Sequence, residues 1–249
     1  RYGSAWKNWK TNPEQEHTMT ELIPVTIITG FLGSGKTTLL KRILQGDHGV
    51  RIAVIENEFA AESIDHGLLV QDSDEQIVEM NNGCICCSVR GDLIRILGEL
   101  HAKRAAGTIA FDHVIIETTG LAAPGPVAQT FFAEPSISEC YLLDAILTVV
   151  DARHAQQQLT AHREAQEQVG FADRILLSKT DLVDKAALAA LRQRLVAING
   201  RAGIQKVRFG NVPLRDILNI RGFNLNAIVE LEPDFLGELG HRHGDGVQS

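Results

Sequence analysis

The 249-residue sequence predicts an α/β fold, a mostly parallel twisted sheet flanked by helices on both faces. Three observations carry this prediction. Short β-branched apolar runs alternate with longer segments of helical period, the alternation that builds parallel sheets through helical crossovers. Most of the runs are apolar almost throughout, as strands buried on both faces are. With 44% hydrophobic and 22% charged residues, the chain has the material for a full core and is unlike a disordered sequence.

The elements follow in order. Residues 1–18 (RYGSAWKNWKTNPEQEHT) are polar, lack a period and hold both tryptophans; they are expected to be a disordered extension, with the folded part starting at Met19. Val25–Gly30 is the first predicted strand, and Thr37–Gln45 then places Leu39, Leu40, Ile43 and Leu44 on one helical face. Arg51–Glu58 and His113–Gly120 are strands separated by a helix over Leu93–Ala106. Ile146–Ala152, a helix over Arg153–Val169, Asp173–Asp181, a helix over Lys185–Asn199 and Gln205–Gly210 complete the alternation. Residues 19–222 are thus expected to form one domain. Residues 223–249, ending in a tract rich in Gly and acidic groups, read as a linker or a truncated junction to an absent C-terminal domain. No internal repeat is visible.

Charge and cysteine usage narrow the function classes. The formal net charge is −7, which argues against a nucleic-acid or anionic-membrane partner, since both want a clustered basic excess. No apolar run approaches the ~20 residues of a membrane helix; even Tyr141–Val150 is interrupted by Asp144. Cys84, Cys86 and Cys87 crowd together while Cys140 stands alone, so no spaced disulfide framework is present. No charged leader with an apolar stretch precedes Met19, and a soluble protein of the reducing cytoplasm is expected.

Ligands of a parallel sheet collect at the carboxyl ends of its strands, and the informative motifs lie there. Gly30-Phe31-Leu32-Gly33-Ser34-Gly35-Lys36-Thr37 fits GxxxxGK[ST] between a strand and a helix, the P-loop of nucleoside triphosphate sites. Its glycines let the backbone curl so that N–H groups and the helix N-terminus face phosphate oxygens. Lys36 would reach the β- and γ-phosphates and Thr37 would ligate Mg²⁺. Ile115-Ile116-Glu117-Thr118-Thr119-Gly120 ends a strand in a carboxylate that can hold Mg²⁺ or its water, followed by a glycine that lets a loop approach the γ-phosphate.

Ser178-Lys179-Thr180-Asp181 resembles the [NT]KxD element that reads guanine, Asp181 accepting from the base N–H groups and Lys179 lying along base and ribose. Ser178 stands where that element has Asn. The other reading of Asp181 is the N-cap of the following helix. Asn81-Asn82-Gly83-Cys84-Ile85-Cys86-Cys87 offers three thiolates to Zn²⁺, Co²⁺ or a similar ion; a buried structural cluster and redox chemistry are its alternatives. Glu56 and Glu58 alternate at the end of the second strand and could serve Mg²⁺ or a transported metal, or form an exposed acidic loop. His241 and His243 suit transient metal capture or are simply solvated.

Taken in order, GFLGSGKTTLL, ENEF, NNGCICC, ETTG and SKTD resemble the CobW-like family of metallochaperone GTPases, and within it the YjiA-type members, over roughly residues 22–222. The resemblance implies a P-loop GTPase domain followed by a smaller C-terminal domain, with delivery of Zn²⁺ or Co²⁺ to a client metalloprotein. It implies that Gly33–Thr38, with Ser34, Gly35 and Lys36, bind phosphates, that Thr37 and Glu117 serve Mg²⁺, that Lys179 and Asp181 read guanine, and that Cys84, Cys86 and Cys87 ligate the transition metal. Ala60-Ala61 depart from the family's Gly-Glu after ENEF. Two chains could share one metal as a homodimer. A P-loop kinase or ATPase with a structural cysteine cluster, and a zinc-binding or redox-sensing module without catalysis, are the competing expectations.

Overall fold

The computed structural model describes residues 22–46, 48–56, 77–79, 88–231 and 235. Seven strands form one parallel sheet: β1 (Ile23–Thr29), β2 (Ile52–Glu56), β3 (Ile77–Glu79), β4 (His113–Glu117), β5 (Tyr141–Asp151), β6 (Arg174–Ser178) and β7 (Gly203–Lys206), in the order β3-β2-β4-β1-β5-β6-β7. The strand made first therefore lies at the centre. Eight α-helices connect the described strands or follow them: α1 (Lys36–Leu44), α2 (Ser88–Ala105), α3 (Gly125–Ala133), α4 (Pro135–Ser138), α5 (Ala155–Ala161), α6 (Arg163–Gly170), α7 (Lys185–Ile198) and α8 (Leu225–Leu231). Among the described residues no helix is long and apolar enough to cross a membrane.

The apolar runs are explained by burial on both faces. Val25, Ile27, Ala53, Ile55, Val114 and Ile116 pack on one side with residues of α2 and α3. The intervening Ile28, Ile52, Val54 and Ile115 pack on the other with Leu39, Leu40 and Ile43 of α1. Val150, Ile175 and Leu177 join α5, α6 and α7 in a third cluster. Successive side chains of a strand point to opposite faces, so every residue of such a run is core.

Three expectations are corrected. The helix expected over Arg153–Val169 is two, because His162 adopts an extended conformation (φ −130°, ψ 121°). Its ring lies 4.6 Å from that of Phe31, and Gln166 donates to the α5 carbonyl of Leu159 at 2.7 Å, so one long-range and one local contact stabilise the break. The strand expected from Ile146 begins at Tyr141, where the tyrosine hydroxyl donates to Leu97 O at 2.8 Å. Asp144 lies in a register shift against β1, with Val25 opposite Leu143 and Thr26 opposite Ala145. That buried carboxylate accepts from the backbone N–H groups of Ile220 (3.1 Å) and Arg221 (2.6 Å). The stretch expected as a linker from residue 223 instead carries α8, with Ile228 and Phe235 buried against the α2–α3 side of the sheet.

Candidate functional site

β1 passes into α1 through residues 30–35. Gly30 has φ +141°, and a Cβ there would lie 2.2 Å from Val149 O on neighbouring β5, so no other residue fits. Gly35 (φ +104°) occupies the helix N-cap without a side-chain cap, leaving the first N–H groups of α1 to a ligand. Thr37 and Thr38 are exposed on that first turn. Lys36 is folded back over the loop, its Nζ donating to Gly30 O at 2.8 Å and Phe31 O at 3.4 Å. Burial lowers its pKa from the usual lysine value, with the Glu117 carboxylate pulling the other way. The Ser34 hydroxyl is buried without a hydrogen-bond partner among the described residues.

The register of β1 on β4 sets Ile28 beside Glu117, which brings the carboxylate to α1: the Thr37 hydroxyl donates to Glu117 Oε1 at 3.1 Å. A hydroxyl and a carboxylate oxygen this close are hard donors suited to Mg²⁺. Glu56 is in register with Glu117 across β2 and β4, so it ends at the same level of the sheet. Just after β4, a Cβ on Gly120 would lie 2.7 Å from Leu32 N, and Gln168 of α6 donates to Gly120 O (3.1 Å) and Ala122 O (3.0 Å). The loop after Glu117 is thereby packed against the phosphate loop at Leu32 and tied to α6 by Gln168.

On the far side of the loop stand the ends of β5 and β6. The Ser178 hydroxyl donates to Ser34 O at 2.6 Å, so this serine still bridges the strand end to the phosphate loop although it lacks an amide. Lys179 holds a left-handed backbone (φ +53°), and its Nζ donates to Gly33 O at 2.8 Å and Asp151 Oδ2 at 2.7 Å. Asp181 is exposed in a 3-10 turn over Thr180–Leu182. The cap of α7 is Asp184, which accepts from Ala187 N at 2.7 Å, so Asp181 is not its N-cap.

Gly30, Gly33, Ser34, Gly35, Lys36, Thr37, Glu117, Lys179 and Asp181 thus gather at the carboxyl end of the sheet. Glu58, Cys84, Cys86 and Cys87 lie outside the described residues, as do Ala60, Ala61, His241 and His243; among the described residues no group of three His, Cys, Asp or Glu could hold a metal. Sequence reasoning missed Asp151 and Gln168. The only signal for Asp151 was an acid closing the apolar run Thr148-Val149-Val150, and Gln168 gave none.

A first strand that enters a helix through a loop offering backbone N–H groups and one buried ammonium to the same point defines a P-loop nucleotide-binding domain. The family described as CobW/HypB/UreG, nucleotide-binding domain, matches residues 24–206, and the chain belongs to that family. It is 47% identical over 214 residues to the zinc chaperone YjiA of Escherichia coli, covering 86% of this chain and 66% of the relative. It is 35% identical to the zinc-regulated GTPase metalloprotein activator 1 of Schizosaccharomyces pombe, covering 84% of this chain and 52% of the relative. Among solved structures it resembles the Zn(II)-bound YjiA GTPase from E. coli, with a TM-score of 0.66 and 40% identity over 82% of this chain and 63% of that one. The chain spans between about half and two thirds of the length of these relatives.

Proposed function

We propose that the chain is the GTP-binding and GTP-hydrolysing domain of a zinc metallochaperone, in which nucleotide state controls metal transfer to a client metalloprotein. The observation that carries the reading is the convergence of Lys36, the Thr37–Glu117 pair and the uncapped α1 N-terminus in a chain whose relatives are named zinc chaperones and zinc-regulated GTPases. In this reading the ammonium of Lys36 leaves the carbonyls of Gly30 and Phe31 for the β- and γ-phosphates, and the loop N–H groups orient the triphosphate. Mg²⁺ held by Thr37 and Glu117 would supply neutralisation of phosphate charge. Lys179 and Asp181 meet the guanine. Zn²⁺, or Co²⁺, is the cargo, taken by thiolates of Cys84, Cys86 and Cys87, with Glu56 and Glu58 as further oxygen donors. The protein works in the cytoplasm, without nucleic acid or membrane, and two copies can share a metal as a homodimer.

Phosphate release from GTP and from ATP, with and without Zn²⁺, tests the reading alongside zinc analysis of protein purified without chelators. Slow GTP turnover is expected, below roughly ten per second, because no arginine is placed by motif against the γ-phosphate. Lys36→Ala should abolish it, and Cys86→Ser with Cys87→Ser should remove bound zinc. Wild-type turnover in Lys36→Ala, or a preference for ATP, would overturn the assignment.

A further inference from the structure

We infer that Asp151 is a positioning residue for nucleobase recognition: through Lys179 it clamps the base-reading segment to the phosphate loop, so that base and phosphate binding support each other. The inference rests on the reading above, in which the base lies at Lys179 and Asp181. Asp151 closes β5, and its register partner is Ser178 at the end of β6. Its side chain is 2% exposed. Oδ1 accepts from Arg153 N at 2.8 Å, while Oδ2 accepts from His154 Nδ1 at 2.9 Å and from Lys179 Nζ at 2.7 Å. Burial alone would raise its pKa, but the hydrogen bonds from His154, Lys179 and Arg153 N prevail and hold it below the usual carboxylate value.

Lys179 makes the clamp two-sided. An ammonium has three donors, and two of them are committed, to Gly33 O and to Asp151 Oδ2. The same residue holds a left-handed backbone, a conformation that a lysine adopts at some cost and that surrounding contacts must hold. A charge-assisted hydrogen bond to a buried carboxylate is a strong contact of this kind. Without it the lysine stem loses one of two fixed points, and the remaining bond to Gly33 O, which ties the peptide carrying Asp181 to the phosphate loop, is held less firmly. The opposing possibility is that Asp151 merely shapes the turn into α5 through Arg153 N.

Asp151→Asn separates the two, because its amide oxygen still accepts from Arg153 N while the charge facing Lys179 is gone. GTP, GDP and ATP affinities are measured by calorimetry for the wild type, Asp151→Asn, Lys179→Met and the double variant, with a thermal melt of each. Asp151→Asn should weaken GTP and GDP about tenfold, shift the GTP-to-ATP ratio toward one, raise KM and leave kcat at saturating GTP within about twofold. In the Lys179→Met background the same change should have no further effect on affinity. Asp151→Glu, which keeps the charge, should retain more of the GTP preference. Should Asp151→Asn fail to fold, Asp151→Ser, whose hydroxyl can also accept from Arg153 N, takes its place with the same expectations. Additive effects of the two single variants, an equal loss for GTP and ATP, or unchanged GTP affinity would each overturn the inference while leaving the GTPase reading intact. A wild type that binds ATP as well as GTP would overturn that reading, and the inference with it.

Discussion

His113 and Asp173 titrate in opposite directions at the amino end of the sheet. His113 opens β4 with its Nε2 2.8 Å from Thr26 Oγ1; burial lowers its pKa to about 4, against a weaker upward pull from Asp144. Asp173 precedes β6 and accepts from Ile146 N at 2.7 Å; burial raises its pKa to about 6, Asp144 adding to the rise while the Ile146 hydrogen bond and Arg201 oppose it. The unfolded histidine takes its proton near pH 6.5, so stability from His113 is present above that pH and is lost as pH falls toward 4. The folded aspartate takes its proton near 6 and the unfolded one near 3.9, so Asp173 adds stability as pH falls through that window and withholds it above 6. Between pH 6 and 4 the two offset each other. Asp173→Asn should therefore lose about 1 kcal/mol more than the wild type on going from pH 7 to 5, read by urea unfolding at both; parallel loss in the two proteins would contradict the assignment. At this scale the sequence was uneven. Lys36 and Glu117 were visible because phosphate chemistry fixes residue types at fixed spacing, whereas Asp151 was not, since one acid after an apolar run has no pattern until β6 is laid beside it.

Among the elements, α8 shows most clearly what pattern reading loses. Phe223 stacks on Phe132 with centroids 5.1 Å apart, and Phe235 lies against Phe132 and Phe171 at 6.4 and 6.1 Å, while Gln129 donates to Phe235 O. Ile228→Ala should cost about 2–4 kcal/mol, the usual range for a buried aliphatic side chain, measured by chemical denaturation; a change below about 0.5 kcal/mol would mean that this helix is not part of the core. Leu225, Ile228 and Val229 keep helical spacing, but the stretch is only seven residues long, and its acidic, Gly-bearing continuation looks like a linker. The central strands were legible for the opposite reason, since burial on two faces writes itself as an unbroken apolar run. α3 was hidden by its opening Pro124-Gly125-Pro126, which reads as a turn although prolines suit a helix's first positions, and the His162 ring at the break packs against Phe31, more than a hundred positions away in sequence.

At the scale of the molecule, every described strand points its carboxyl end to the same side. The chain therefore leaves Glu56 and Glu79 for the ENEF and CICC segments from the edge that also carries the phosphate loop. On the proposed reading the γ-phosphate state controls metal binding, and such a coupling is reciprocal, typically by a factor of about 5–150. Zinc competition titrations in a non-hydrolysable GTP analogue and in GDP should give different affinities, and zinc should shift the affinity for the analogue relative to GDP by the same ratio. Equal zinc affinity in both would leave a GTPase whose metal is unconnected to turnover. The place of β1 between β4 and β5 also bears on synthesis. On the ribosome Ile23, Val25, Ile27 and Ile28 emerge long before His113 or Tyr141 is translated, and at ordinary elongation speeds the future centre of the sheet stays uncovered for on the order of ten seconds. The nascent chain thus exposes a wholly apolar strand early and covers both of its edges only once β5 has been made.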